Sequence, residues 1–362
     1  MTRFRFLDWM RGLAVLVMIQ CHTFNSFARP DLREGGQYQL SQFIGGMAAP
    51  LFLFMSGMTL AFQMASLDRR EPQAGRRWRL TLRRAAYILA VAFAFRITNW
   101  LFSLPHADFH EITRVDILNC MGVGLMVMSA GAALDATSRA RFSVAAGFGI
   151  AAASPLVSAA PWKLAPVLLR DYIAPATDPG VFGFFPNAAY VALGVAAGVL
   201  VKTSVEGRFE RLMQWFLLAG LAIVFVAQYF GSFPYSVYAH ASFWVDSPAL
   251  TLIRGGTSLL LLAGAYLWTE YGAGQGWSWI ECLGRNSLMV YWVHLALVYG
   301  DWTKRLQRQL TIPQTAFATA AVVLFMLMLS AAWLRWKSAS RSSLSLLNTQ
   351  PAGKLKPVPP GA

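Results

Sequence analysis

Ten runs of apolar residues, most of them near twenty residues long, constrain this chain more than any other feature. A helix of about 20 apolar residues spans the hydrocarbon core of a bilayer. Only 13% of the residues are charged, against roughly 25% in soluble domains, so the chain could not cover a water-facing surface. The sequence therefore predicts an all-α polytopic membrane protein, a bundle of about ten transmembrane helices. The runs lie at 12–28, 44–65, 85–104, 115–133, 142–160, 181–201, 212–230, 249–268, 284–300 and 316–334.

The distribution of positive charge predicts the orientation of the bundle. The formal net charge is +14, which in a soluble protein would suggest a nucleic-acid partner. With the N-terminus inside, the cytoplasmic segments and their edges hold 21 Lys and Arg, whereas the outer ones hold 8. This is the positive-inside bias, and it predicts an N-in/C-in protein of the bacterial inner (cytoplasmic) membrane without nucleic acid. Residues 1–337 form the predicted transmembrane domain, and the Ser-, Pro- and Lys-rich segment 338–362 is a predicted disordered cytoplasmic tail.

Polar residues inside the apolar runs are candidates for function, because an ionisable side chain in lipid is costly. His22 lies about two-thirds of the way along the first run; the structural alternative is a histidine bonded to a neighbour inside the bundle. Several other polar residues also fall in the outer half of the membrane, which predicts a polar cavity open to the outer face. They are Asn25, Arg96, Asn99, Arg114, Asp116, Arg254, Tyr291 and His294.

Arginines mark the opposite, cytoplasmic end. The segment Asp68–Arg84 contains seven arginines and no lysine, although such a segment can serve topology alone. Guanidinium groups bind phosphates in a bidentate fashion, which an ammonium cannot do, so the cluster predicts a phosphate site at the cytoplasmic mouth. Arg11 lies about 16 Å below His22 on one helix, eleven residues earlier; its alternative role is a flank that pairs with Asp8. The three cysteines show no metal-binding or disulfide spacing.

Five segments in sequence resemble a known superfamily. Arg3–Phe27, with Asp-x-x-Arg-Gly and then a histidine in Arg-x10-His spacing, resembles the first helix of the transmembrane acyltransferase superfamily. The later segments resemble its heparan-α-glucosaminide N-acetyltransferase-like branch, which is related to the acyltransferase-3 proteins. They are APLFLFMSGMTLAF (Ala49–Phe62), RVDILNCMG (Arg114–Gly122), FFPNAAYVALGVAAG (Phe184–Gly198) and LGRNSLMVYWVH (Leu283–His294).

The resemblance implies an acyltransferase. Its donor would be cytoplasmic acetyl-CoA or a related acyl-CoA, with no metal, and its acceptor a hydroxyl or amino group of a glycan or lipid-linked molecule at the outer face. Loop Ala28–Phe43 lacks the histidine that the heparan enzyme carries after its first helix, so a heparan acceptor is not implied. Residues and resemblance together assign catalysis to His22, Asp116 and His294, donor binding to Arg11, Arg76, Arg79, Arg285 and Asn286, and acceptor binding to Asn25, Arg96 and Arg254.

Several alternatives stay open at this point. Asp116 is predicted to accept a hydrogen bond from His22 as the third member of a triad, or else to form an interfacial pair with Arg114. His22 would act as a general base or become acylated itself. A solute transporter or flippase with a polar outer cavity is the main rival function, and a scaffold or sensor is the third. Membrane lipids are expected partners, and a homo-oligomer is left open.

Overall fold

A computed structural model describes residues 4–102, 108–176, 180–204, 207–233, 235–239, 241–272 and 276–348. The predicted all-α class is confirmed, because the described residues form helices and no β-strand. Fourteen α-helices follow one another within the described residues. They are α1 (Arg5–Phe27), α2 (Gly36–Gly45), α3 (Ala48–Asp68), α4 (Ala74–Phe102), α5 (His110–Thr113), α6 (Ile117–Met128), α7 (Ala136–Ser158), α8 (Val167–Ile173), α9 (Phe184–Thr203), α10 (Phe209–Gly231), α11 (Pro248–Leu267), α12 (Trp279–Arg285), α13 (Ser287–Tyr299) and α14 (Ile312–Asn348).

Seven helical stretches in the described part are long and apolar enough to cross a membrane. They are Gly36–Asp68, Ala74–Phe102, Ala136–Ser158, Phe184–Thr203, Phe209–Gly231, Pro248–Gly272 and Ile312–Ser340. The other three predicted spans correspond to α1, α6 and α13. α1 carries Arg5, Asp8 and Arg11 at one end, and α6 and α13, with 12 and 13 residues, are shorter than the roughly 20 residues that cross a bilayer. The count of ten and the orientation therefore stay predictions.

Two predicted boundaries differ from the structure. α4 begins at Ala74 instead of residue 85, so Arg76 and Arg79 lie on a helix and not in a loop. Arginine is a good helix former, so the helix continues through a charged stretch that a hydropathy pattern cannot register. α14 likewise continues to Asn348, past the predicted domain boundary. Residues 349–362 lie outside the described residues, and the predicted disorder of the tail remains a prediction there.

Glycines bring the central helices into backbone contact. A Cβ atom at Gly194 of α9 would collide with the Phe54 carbonyl of α3, and one at Gly57 of α3 would collide with the Val191 carbonyl of α9. Small residues at such crossings allow the close van der Waals packing on which helix association in lipid depends. α1 meets α12 in the same way, with Gly284 against the Asp8 carbonyl. α1 is thereby held between neighbours along its length, which fixes the position of its polar residues.

Candidate active site

Two histidines from distant parts of the chain meet in the bundle. His22 on α1 and His294 on α13 have Nδ1 and Nε2, respectively, 2.9 Å apart. Their rings are nearly parallel and meet edge to edge, with centroids 5.2 Å apart and an interplanar angle of 5°. The His294 side chain is completely buried, whereas His22 keeps partial exposure. Of the two histidines, His22 is therefore the less enclosed.

The hydrogen bonds of His294 determine which nitrogen of each ring carries the proton. Nδ1 of His294 lies 2.7 Å from the Val290 carbonyl oxygen, which can only accept, so this nitrogen donates. In neutral His294 the Nε2 atom is then an acceptor, and Nδ1 of His22 must donate to it. The remaining nitrogen of neutral His22, Nε2, therefore carries a lone pair. The arrangement orients His22 as a base or nucleophile, as a third group does for the base in a catalytic triad.

Tyr299 completes the surroundings of His22 and was not among the residues predicted from the sequence. Its ring stands edge-on to the His22 ring, with centroids 5.7 Å apart. The side chain of Asn25, one turn after His22, contacts the Tyr299 phenol, so the predicted acceptor residue Asn25 does lie at this site. Tyr299 follows His294 by five residues on α13, which is not a same-face spacing on a helix, so no local pattern in the sequence indicates this contact.

Asp116 occupies a different position from the one predicted. Its Oδ1 accepts hydrogen bonds from the backbone N–H groups of Leu118, at 2.9 Å, and Asn119, at 3.1 Å, so it is the N-cap of α6. An N-cap acceptor satisfies donors that a helix start leaves unpaired. The predicted hydrogen bond from His22 is therefore wrong, since His294 occupies that place. Tyr291 lies between Asp116 and the histidine pair. Its phenol interacts with the Asp116 carboxylate, and its ring centroid is 6.1 Å from that of His294.

Arg96 and Arg114, both predicted in the outer half, are paired with one acidic residue. The Arg96 guanidinium donates to the Glu111 carboxylate at 2.8 Å and to its backbone carbonyl at 2.7 Å. Arg114 lies 3.9 Å from the same carboxylate. Arg96 is largely buried and also faces Asp116. The charge of Arg96, which was predicted to bind the acyl acceptor, is thus neutralised by Glu111 within the protein.

A cavity of about 260 Å³ lies between α1, α3, α4, α6 and α13. Its walls are mainly apolar, and Arg11 and Arg84 contribute the charged groups. Met18 and Tyr291 also line it, and these residues lie about one helical turn before His22 and His294. Because α1 is continuous, the predicted separation of about 16 Å along the axis between Arg11 and His22 holds. The cavity therefore extends from two arginines toward the histidine pair.

The other predicted donor residues are distributed unevenly around this cavity. Arg11 donates to Thr59 at 3.0 Å and pairs with Asp8 at 3.3 Å, as its alternative role required. Arg285 approaches the same Asp8 carboxylate at 3.7 Å, so it lies near the Arg11 end. The buried amide of Asn286 donates to two backbone carbonyls, those of Cys282 and Ser330, and this holds the α12–α13 junction against α14. Its predicted contact with the acyl donor stays a prediction.

Arg76 and Arg79 lie on the exposed, N-terminal part of α4. Arg76 pairs with Glu71 at 3.2 Å. Arg84, farther along the same helix, is the arginine of this stretch that lines the cavity, and sequence reasoning did not single it out. Within the described part of the chain, no group of three or more His, Cys, Asp or Glu side chains is placed to hold a metal ion.

Apolar helices that enclose a hydrogen-bonded histidine pair and a cavity with two arginines define a class of multi-pass membrane proteins with polar groups inside the bundle. Comparison with known families specifies the class further. Residues 4–334 match the acyltransferase domain of the acyltransferase-3 family, which covers nearly the whole chain. The chain belongs to this family of membrane acyltransferases, and the match does not favour a transporter or flippase. No curated protein matches the chain.

Proposed function

We propose that this protein transfers an acetyl or other short acyl group from cytoplasmic acyl-CoA to a hydroxyl or amino group of a glycan or lipid-linked acceptor at the outer face. The observation that carries the proposal is the chain of hydrogen bonds from His22 through His294 to the Val290 carbonyl. It leaves the lone pair on Nε2 of His22 for an acceptor or an acyl group. His22 is thus the proposed catalytic residue, and His294 the residue that positions it.

The donor would enter at the Arg11 end of the cavity. Arg11 and Arg84 could hold the phosphates of CoA, because guanidinium groups bind phosphate oxygens through paired hydrogen bonds. The narrow, apolar space beyond them suits the pantetheine arm, with the thioester directed toward the histidine pair. Arg285 supports the Arg11 end through Asp8. Arg76 and Arg79, on the exposed start of α4, are the proposed contacts for the outermost phosphate.

In the general-base route, His22 takes a proton from the acceptor and returns it to the leaving group. Nε2 of His22 takes the proton of the acceptor hydroxyl or amine while the acceptor attacks the thioester carbonyl carbon. The C–S bond breaks, the acyl group stays on the acceptor, and the CoA thiolate receives the proton from His22. During this step His294 accepts the Nδ1–H bond of the imidazolium. In the covalent route Nε2 itself attacks the thioester carbon, the C–S bond breaks and the CoA thiolate leaves. The acceptor then attacks the acyl-imidazole, the bond from the acyl carbon to Nε2 breaks, and the acceptor's proton ends on the CoA thiolate.

The proposal also includes acyl-CoA as the donor and an N-in/C-in orientation. The resemblance to the heparan-α-glucosaminide N-acetyltransferase-like branch supports acyl-CoA as the donor, since that branch uses acetyl-CoA. The surplus of Lys and Arg in the segments of the Arg11 side supports an N-in/C-in orientation in a bacterial inner membrane. In this orientation the arginine-lined end of the cavity faces the cytoplasm, where acyl-CoA is made.

Mass analysis of envelope glycans and lipids tests the proposed function. A strain without the protein should lose an acetyl or other short acyl group from one envelope component, and the wild-type chain should restore it. The His22→Ala chain, expressed at the same level, should not. Restoration by His22→Ala would contradict the proposed chemistry, and an unchanged acylation pattern in the deletion strain would contradict the proposed activity.

A further inference from the structure

A second cavity, of about 150 Å³, lies between α9, α11 and the segment that precedes α11. Unlike the first cavity, it is lined largely by polar groups. Its polar and aromatic lining includes Asn187, Tyr190, Trp244, Ser247, Thr251 and Arg254. In small-molecule sites a few convergent polar groups fix the orientation of the ligand. The pocket is separate from the first cavity, and it contains Arg254, which the sequence analysis assigned to acceptor binding without naming the chemistry of the acceptor.

Arg254 gives this pocket its charge. It lies two turns into α11 and is partly buried. Among the residues that the structure describes, the arginine ion pairs involve other arginines, and no carboxylate forms an ion pair with Arg254. The uncharged phenol of Tyr190 contacts its guanidinium. A cation at this depth is costly without a counter-charge, so the pocket is incomplete without an anion.

The Gly45–Gly46 turn connects the pocket to the catalytic helix. The space beside Gly46 is filled by Nη2 of Arg254, 2.8 Å from where a Cβ would lie, and the space beside Gly45 is filled by Sγ of Cys21, at 2.5 Å. With adjacent Cα atoms about 3.8 Å apart, the guanidinium and the Cys21 sulfur are within about 12 Å of each other. Cys21 precedes His22 on α1. A molecule held by Arg254 therefore lies at the same end of the bundle as the reactive imidazole.

Aromatic side chains form the rim of the pocket. Trp244 is largely exposed, and its ring stands edge-on to those of Phe243, at 5.2 Å, and Phe43 of α2, at 6.4 Å. Flat rings at a polar pocket offer apolar faces to the C–H surface of a sugar, while the guanidinium within offers paired donors to an anion.

The geometry points to the polar pocket as the binding site for an acyl acceptor that carries a carboxylate or phosphate, which Arg254 binds while Trp244 contacts the adjoining sugar ring. This inference rests on the proposed function only in identifying the bound molecule as the acyl acceptor. The carboxylate and the phosphate share one recognition chemistry, because both accept two parallel hydrogen bonds from a guanidinium. A neutral acceptor would leave Arg254 without a counter-charge.

Calorimetric titration of the purified protein in neutral phosphatidylcholine nanodiscs tests the inference. The probes are glucuronic acid, glucose 6-phosphate and glucose, without an acyl donor. We expect saturable binding of at least one charged sugar, which identifies the anion, and at least tenfold weaker binding of glucose. Arg254→Gln should weaken the binding of the charged sugar at least tenfold, and Arg254→Lys should weaken it less. Arg29→Gln is the matched control. Arg29 is an exposed arginine that follows the C-terminal end of α1, the end that carries His22, and it is paired with Asp31.

The melting temperatures of the Arg254 variants in the same nanodiscs, compared with that of the wild-type protein, show whether they are folded. Equal binding of glucose and the charged sugars, no binding of either charged sugar, or unchanged binding in folded Arg254→Gln would overturn the inference. None of these results touches His22-dependent transfer. Conversely, anion binding that depends on Arg254 would stand if His22→Ala kept its turnover, so the two proposals can fail separately.

Discussion

The paired histidines show what a single side chain can and cannot reveal at the level of sequence. His22 is recognisable because an imidazole within an apolar run needs a partner or a function. Its partner is 272 residues away, and no local pattern specifies that contact. The sequence did place His294 and Asp116 at a similar depth. Which of them would reach His22 depends on how α13 and α6 are rotated, and that is set by packing across the whole bundle.

His22→Ala should abolish acyl transfer, because it removes the atom that takes the acceptor proton. General-base catalysis contributes about 10²- to 10⁴-fold to a rate, so a loss of at least two orders of magnitude in kcat is expected. Acyl-CoA affinity should stay within about twofold, since His22 does not line the donor cavity. Single-turnover kinetics and calorimetry on the same preparation give both quantities. A variant that keeps most of its turnover would exclude His22 from the mechanism.

His294→Leu tests the positioning role. The Nδ1–H group of His22 would lose its acceptor, and a buried unsatisfied donor costs about 1–3 kcal/mol, which corresponds to roughly 5- to 150-fold in kcat. The KM for the donor should not change. His294→Gln offers a side-chain oxygen in the place of Nε2 and should recover part of the loss. If the two variants have the same kcat and differ only in thermal stability, His294 has a structural role alone.

Two substitutions of Asp116 distinguish a role in capping α6 from a role in catalysis. Asparagine caps helices as well as aspartate does, so Asp116→Asn should keep both the melting temperature and turnover within a few fold of wild type. Asp116→Ala removes the cap and should destabilise the protein by about 0.5–2 kcal/mol. Thermal unfolding and kcat of both variants decide the matter. A fall of several orders of magnitude in the turnover of folded Asp116→Asn would restore the carboxylate to the catalytic machinery.

At the scale of the helix, α4 is the element that hydropathy describes least well. The pattern marks the apolar part of the helix, but the helix itself begins eleven residues earlier and carries the arginines with it. As a helix, this stretch repeats every 3.6 residues, so neighbouring arginines point in different directions. Arg84 lines the cavity while Arg83 does not, and a loop would have given no reason to separate the two.

This separation makes Arg83 the matched control for Arg84. Arg84→Lys should weaken the binding of CoA about tenfold, because a lysine keeps the charge but loses the paired hydrogen bonds to phosphate. Arg83→Lys should leave the affinity unchanged. The double variant Arg76→Lys/Arg79→Lys should weaken binding as well if these residues hold the outermost phosphate. Calorimetric titration with CoA measures all three. Equal affinities throughout would assign the whole stretch to topology alone.

For the whole molecule, the membrane class and the helical fold follow from composition, because a chain with so few charges has no other way to be solvated. The number of crossings does not follow so simply. α6 and α13, with 12 and 13 residues, are shorter than their apolar runs, whereas α1, with 23 residues, is long enough but charged at one end. The close α3–α9 contact is visible in the sequence only as small residues, which many helices share.

Side-specific labelling tests the N-in/C-in prediction. In a background with its three cysteines replaced by alanine, Val237→Cys lies between α10 and α11, and Ser340→Cys lies near the end of α14. In spheroplasts, a membrane-impermeant maleimide should label Val237→Cys but not Ser340→Cys. After permeabilisation it should label both. Labelling of Ser340→Cys in intact spheroplasts would reverse the proposed position of the C-terminus.

The histidine pair ends at the Val290 carbonyl, and this has a consequence for the timing of proton transfer. The groups that act on His294 are His22 and backbone carbonyls, and among the described residues no carboxylate balances a positive imidazole there. In surroundings of low polarity an unbalanced charge is short-lived. In the proposed general-base route, we therefore expect Nε2 of His22 to pass the acceptor's proton to the departing sulfur within the same step. The histidine pair should then be neutral between turnovers.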